Sequence, residues 1–295
     1  MISYMGAKGG SMGKWIVDFI PKDIKVFSEP FSGMFNVYLT MDLDKYPDLE
    51  KVIYNDFNVL NANIFACARK YKEFYTFLES QECQQRRKDG SPTDPKFKKW
   101  FDEYQKDIFK NQPKLDMDNP DYQNAVKYSY VLSQVFSGSK PETSSFIDLK
   151  GKYNCKFESF RKKMNGSNHG KNILNHLDKI TNVESIDFEN LMLKYDSPET
   201  YFYLDPPYYN CEKYYSNHEF GLETHKRLAD CIKKLEAKWS LSYYYFPELE
   251  EWFPRDQFHW EEKEFNKISG AKKGQETTKG TELLIMNYNV STTTN

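Results

Sequence analysis

The sequence has no apolar run near the roughly 18 residues needed to cross a bilayer, so no membrane-spanning helix is expected. Its opening residues, Met1-Ile2-Ser3-Tyr4, lack the basic and apolar regions of a secretory signal. Cysteine is scarce. The five copies, at 67, 83, 155, 211 and 231, are odd in number, widely spaced and never form C-x-x-C. That pattern argues against a disulfide framework or a zinc site and fits reduced thiols in a cytoplasmic protein. The five histidines fall at no ligand spacing, so no metal is expected. No internal repeat occurs, which sets aside solenoids and propellers.

What is present is globular: 295 residues, 39% hydrophobic, 28% charged and 17% aromatic. That is enough for one large domain, or one domain with an inserted module. The net charge of −2 hides an asymmetry, because residues 81–171 hold 18 Lys/Arg against 12 Asp/Glu. The bias is sharpest in 150–171, with seven Lys/Arg and one Glu. A basic middle in an acidic frame suggests a module facing a polyanion, and the plainer reading is a solvated face.

Apolar spacing predicts a helix over 11–19, a strand over 24–27, a strand over 51–54 and one long helix over 59–78. Residues 80–124 turn polar and proline-punctuated, with helical stretches at 96–109 and 122–136. Residues 146–149 and 153–157 flank Lys150-Gly151-Lys152 and read as a hairpin. The α/β alternation then resumes with helix 171–180, strand 183–188, strand 201–204, helix 222–237 and strand 240–246. Two further strands, 257–265 and 283–288, close the chain. The pattern is an α/β sheet split by an insertion, with expected segments 1–75, 76–171 and 172–295.

The most informative stretch is Asp205-Pro206-Pro207-Tyr208, directly after the apolar run 200–204. Two prolines remove two backbone donors and stiffen an extended turn. A rigid turn at the carboxyl end of a strand is where open α/β sheets place their chemistry. It offers the Asp205 carboxylate, the Pro206 carbonyl and the flat ring of Tyr208. Together these suit a planar amino group whose heterocycle stacks on the ring. A proline turn that merely ends a strand is the bland alternative. Glu29-Pro30-Phe31-Ser32-Gly33 leaves the first strand, Asn55-Asp56 ends the second, and Asp187-Phe188 ends the next strand of that half. An acid such as Asp56 commonly holds an adenosine ribose in doubly wound sheets, although it also suits a helix cap near Asn58. The glycines at 6, 9, 10 and 13 do not make a phosphate loop, because G-x-x-x-x-G-K is absent.

With these motifs in this order, the chain resembles the Dam-like (D12 class) DNA adenine N6-methyltransferases. The resemblance rests on the initial Y-x-G-x-K (Tyr4 to Lys8), the EPFSG turn, the Asp56 strand end, DPPY and the closing Glu282 to Tyr288. It also includes Leu149 to Asn154, similar to the hairpin of the family's target-recognition domain. It implies a Rossmann-like S-adenosylmethionine-dependent methyltransferase sheet, with an inserted, mainly helical recognition domain carrying that hairpin. It implies methyl transfer from S-adenosylmethionine to N6 of a flipped adenine in double-stranded DNA. Asp205, Pro206 and Tyr208 are then catalytic, with the Tyr208 ring needed and its hydroxyl dispensable. Tyr4, Lys8, Glu29, Phe31, Gly33, Asp56, Asp187, Phe188 and Asp205 would hold the cofactor. Lys150, Lys152, Asn154, Lys156 and Arg161 would meet DNA. A monomer, or a weak dimer on DNA, is expected, in the cytoplasm of a bacterial or phage-infected cell. The alternatives are an RNA or protein-amide methyltransferase on the same fold, or an inactive DNA-binding regulator. One departure stands out: the family's second turn glycine is Phe35 here. A glycine there lets backbone approach the cofactor.

Overall fold

The computed structural model describes residues 8–84, 95–135, 140–147, 155–167, 170–209, 220–266 and 279–290. Its helices are α1 (Gly10–Phe19), α2 (Val59–Arg69), α3 (Tyr71–Glu79), α4 (Pro95–Lys110), α5 (Tyr122–Gln134), α6 (Cys155–Met164) and α7 (Gly170–Lys179). After these come α8 (Phe188–Tyr195), α9 (Leu222–Ile232) and α10 (Glu248–Trp252). The strands are β1 (Val26–Glu29), β2 (Lys51–Asn55), β3 (Ile180–Glu184), β4 (Thr200–Leu204), β5 (Lys238–Tyr243), β6 (His259–Asn266) and β7 (Lys279–Met286). They form one sheet in the order β3-β2-β1-β4-β5-β7-β6. The pairs among β1 to β5 are parallel, and β7 runs antiparallel to both β5 and β6. This is the mostly parallel α/β sheet that the sequence implied. Among the described residues no helix is long and apolar enough to cross a membrane.

Both faces of the sheet are covered, and the strand period of two sorts the side chains. Tyr201 and Tyr203 of β4, with Leu284 and Met286 of β7, belong to one apolar cluster. Their neighbours Phe202, Leu204, Leu283 and Ile285 belong to the other. The two tyrosines are buried with their hydroxyls satisfied across the strand pair, Tyr201 by Ser240 at 2.5 Å and Tyr203 by Ser242 at 2.9 Å. Helices α4, α5 and α6 join the first cluster through Phe97, Phe101, Val131, Phe157 and Phe160. They share that core with α2 and β2. Residues 75/76 and 171/172 lie inside α3 and α7, so this helical stretch is continuous with the helix layer of the sheet.

Several expected elements shift. The expected helix 59–78 breaks at Lys70, whose backbone (φ −99, ψ 46) leaves the helical region between α2 and α3. The expected strand 183–188 ends at Glu184. Asp187 instead caps α8 by accepting the Glu189 N–H at 3.0 Å, and Phe188 opens that helix. The helix expected over 222–237 stops at Ile232. The second arm of the expected hairpin is also corrected. Residues 155–157 are helical, their apolar member Phe157 packing inward on Tyr130 and Phe160. Of the first arm, Phe146 and Ile147 are described and form no strand, Phe146 packing on Phe101 at 5.7 Å; residues 148–154, including Lys150, Lys152 and Asn154, lie outside the described residues, as do Tyr4 and the side chain of Lys156. The guanidinium of Arg161 is buried, paired with both oxygens of Glu158 at 3.0 Å and with Glu79, so it ties α6 to α3.

Candidate active site

Sheet order decides where chemistry gathers. From β1 the chain builds outward through β2 and β3, and from β4 it builds the other way through β5. β1 and β4 are neighbours at this reversal, with Val26 beside Thr200. Ligand crevices open at the carboxyl ends of strands at such a switch point. The turns after β1 and β4, far apart in sequence, therefore stand side by side.

The first turn is braced from within. Glu29 is 3% exposed and its carboxylate accepts the Tyr38 N–H at 2.8 Å. Burial pushes its pKa well above the usual carboxylate range, and the Asp205 charge adds to that. Glu29 thus lies beneath the turn, where it ties the loop together. Gly33 (φ 48) donates its N–H to Asp56 Oδ2 at 2.8 Å. Asp56 Oδ1 accepts the Asn58 N–H at 2.8 Å, while the cap of α2 itself is Asn58, which accepts from Leu60. So Asp56 joins the β1 turn to the β2 end, and the helix-cap role falls to Asn58. Burial raises the Asp56 pKa to about 6. The adjacent Phe57 is 55% exposed, a large apolar side chain held open beside Asp56.

Phe35 resolves the departure at the family glycine. Its backbone takes the left-handed conformation, φ 55, that glycine adopts without cost. Its ring is fully buried and turns into the core, 4.6 Å from the Tyr38 ring and 5.3 Å from that of Tyr54. The ring thus packs in the core and stays out of the crevice. Across the turn, Phe31 packs on Phe188 at 5.4 Å and on Phe220 at 5.7 Å. Arg227 grips Asp187 with two hydrogen bonds, of 3.1 and 2.8 Å, and lies 4.3 Å from the Phe188 ring centre.

The second turn carries a charged cluster. Lys8, 9% exposed, sends its ammonium to Asp205, just beyond β4, and to Glu282 of β7. Its Nζ lies 3.2 Å from Asp205 Oδ1, 3.2 Å from Glu282 Oε1 and donates to the Tyr208 hydroxyl at 2.6 Å. That hydroxyl donates in turn to Glu282. Burial alone would lower the Lys8 pKa, but Asp205 and Glu282 outweigh it and hold the ammonium charged. Burial raises both carboxylates, and Lys8 pulls both back. Gly13 permits the arrangement: a Cβ there would meet the Lys8 carbonyl oxygen at 2.6 Å. The Tyr208 ring is 6% exposed and makes a T-shaped contact with Tyr244, ring centres 4.5 Å apart. Pro206 lies beyond β4, outside its ladder.

Of the residues that the sequence singled out for cofactor and catalysis, Lys8 meets Asp205 and Tyr208, Gly33 meets Asp56, and Phe31 meets Phe188, while Asp187 caps α8 and Pro206 follows β4. The sequence reading missed Phe57, whose only signal was an aromatic directly after the strand-end acid. It quoted Glu282 in a motif without giving it a task, although a lone acid before Leu-Leu-Ile-Met breaks an apolar strand.

No curated protein matches the chain. The model of one family matches residues 4–268, from the segment that carries Lys8 to the end of β6. With most of its length matched, and with acid, proline turn and lysine gathered at the switch point, the chain belongs to the D12 class N6 adenine-specific DNA methyltransferases.

Proposed function

We propose that the enzyme transfers the methyl group of S-adenosylmethionine to N6 of an adenine turned out of duplex DNA at a defined sequence. The observation that carries this reading is the meeting of Asp205 with the β1 turn at the switch point. The residues there suit the cofactor. Asp56, tied to Gly33, offers a carboxylate for ribose hydroxyls. Phe57 and the Phe31–Phe188 pair offer aromatic faces for its adenine. Bound along this edge, S-adenosylmethionine supplies an electrophilic methyl group on a sulfonium.

The chain supplies alignment. The amino nitrogen of adenine is a weak nucleophile, because its lone pair is delocalised into the ring. Asp205 accepts one amino hydrogen and the Pro206 carbonyl the other. The nitrogen is drawn toward tetrahedral geometry, with its lone pair aimed at the methyl group; as the N–C bond forms the C–S bond breaks, S-adenosylhomocysteine leaves with the electron pair, and the surplus proton on N6 passes through Asp205 to solvent. A stacked, paired adenine cannot adopt that pose, so the base leaves the duplex. Target recognition is assigned to the basic stretch 76–171, with Lys150, Lys152, Asn154 and Lys156 toward the DNA. Charge supports this, since the rest of the chain is acidic.

The test is incubation of the purified protein with S-adenosylmethionine and random-sequence duplex DNA, followed by base-resolution mapping of N6-methyladenine. Methylation confined to one short sequence is expected. Asp205→Asn keeps the shape of the acceptor and removes its charge, and should abolish transfer. Near-normal turnover by that variant would overturn the role of Asp205.

A further inference from the structure

Glu282 lies on β7, beyond the residues that the family model matches, and the reaction described so far does not use it. It is 2% exposed. By the alternation of β7 it shares a face with Leu284 and Met286, where an apolar side chain would continue the pattern. A buried carboxylate is expensive unless it is paired. Here it is paired with the two groups that flank Asp205, the Lys8 ammonium and the Tyr208 hydroxyl.

Lys8 is shared. Its ammonium is as close to Glu282 as to Asp205, 3.2 Å from each. Without Glu282 the whole positive charge would settle on Asp205. A carboxylate closed by an ammonium is a poorer acceptor for an amino hydrogen. The ammonium would also face the sulfonium without compensation, like charge against like. With both carboxylates ionised, Lys8, Asp205 and Glu282 together carry one net negative charge. That is opposite to the positive charge that passes from the sulfonium to N6 in the reaction.

We infer that Glu282 is a positioning residue for methyl transfer: by sharing Lys8 and holding the Tyr208 hydroxyl, it leaves Asp205 open to the adenine amino group. The inference rests on the proposed reaction at Asp205. Glu282→Gln keeps the size of the side chain and an oxygen for the Tyr208 hydroxyl, and removes the charge. Steady-state methylation kinetics should show kcat falling by about tenfold or more, with the KM for DNA changed by less than about threefold. Titration with S-adenosylhomocysteine should show cofactor affinity equally little changed, which also verifies that the variant is folded. Glu282→Asp keeps the charge at shorter reach and should retain more turnover than Glu282→Gln.

The decisive arm is a double-mutant cycle with Lys8→Met. If Glu282 acts through Lys8, the double variant loses the ammonium that would close Asp205. Its turnover should be no lower than that of Glu282→Gln alone. Losses that simply multiply would overturn the inference, as would a Glu282→Gln defect confined to KM or to melting temperature. A Glu282→Asp variant as slow as Glu282→Gln would overturn it too. The parent protein in the same assay separates the two readings. If the parent transfers no methyl group, the proposed function falls and this inference with it. If the parent is active and the cycle is additive, only the inference falls.

Discussion

Phe35 offers a test in which two physical effects oppose each other. Its ring is wholly buried among Phe27, Tyr38, Tyr54 and Phe65, while its backbone sits at φ 55. Truncating a phenylalanine in a closed core costs about 3–5 kcal/mol. Phe35→Ala incurs that loss and keeps the left-handed strain. Phe35→Gly incurs it too, but recovers about 1–2 kcal/mol of strain and gives back about 0.4–1 kcal/mol through the freer unfolded chain. At the midpoints of these ranges the glycine variant should therefore be the more stable by about 0.8 kcal/mol, reversing the ordinary order of alanine over glycine. Urea denaturation of both variants reads this as a higher midpoint for Phe35→Gly at an unchanged slope. An alanine variant as stable as the glycine variant would refute the left-handed backbone. Because the ring faces the core, Phe35→Gly should leave the affinity for S-adenosylhomocysteine within about threefold of the parent, under about 1 kcal/mol. A larger gain would mean that the phenylalanine obstructs the cofactor after all.

Tyr208→Phe, harmless if only the ring matters, should instead slow methyl transfer. The hydroxyl bridges Lys8 and Glu282, and a hydrogen bond to a charged group is worth about 1.5–3 kcal/mol, so turnover at the parent rate would show the bridge to be irrelevant. Affinity for S-adenosylhomocysteine should tighten as pH rises through about 6, because Asp56 accepts from ribose hydroxyls best when ionised, and Asp56→Asn should flatten that dependence. Calorimetric titration across the range checks it, and an equally steep profile in the variant would remove Asp56 from the ribose. In stability the same group works in the opposite sense. It keeps its proton in the fold up to about 6 but loses it at 3.8 when unfolded, so its contribution is present at acid pH and is lost as pH rises through about 6. Gly13→Ala improves helix propensity by about 1 kcal/mol, yet its Cβ would push the Lys8 carbonyl away. Turnover should drop while the melting temperature holds, and full activity would mean that the Lys8 segment is free to shift.

Much of this protein is written locally. The apolar run of β4, the two prolines after it and the helical spacing of α2 depend on neighbours in the chain, and so they are legible from residue order alone. The turn motifs, taken in order, also carried the family and the edge of the sheet where chemistry belongs. Backbone choices that compete with packing were not legible. The break at Lys70 lies inside an uninterrupted helical pattern, and the left-handed turn at Phe35 is held by rings from β1, β2 and α2. Charge was legible only as a sum. Arg161 belongs to a basic run, yet Glu158 and Glu79 take it out of solvent. Lys8, Asp205 and Glu282 come from three distant parts of the chain. They meet only because β4 lies centrally beside β1 and β7 returns antiparallel at β5. Residue types and their spacing determined which groups were available. Burial and strand order, which are sums over contacts remote in sequence, decided which of them share one proton-bearing cluster.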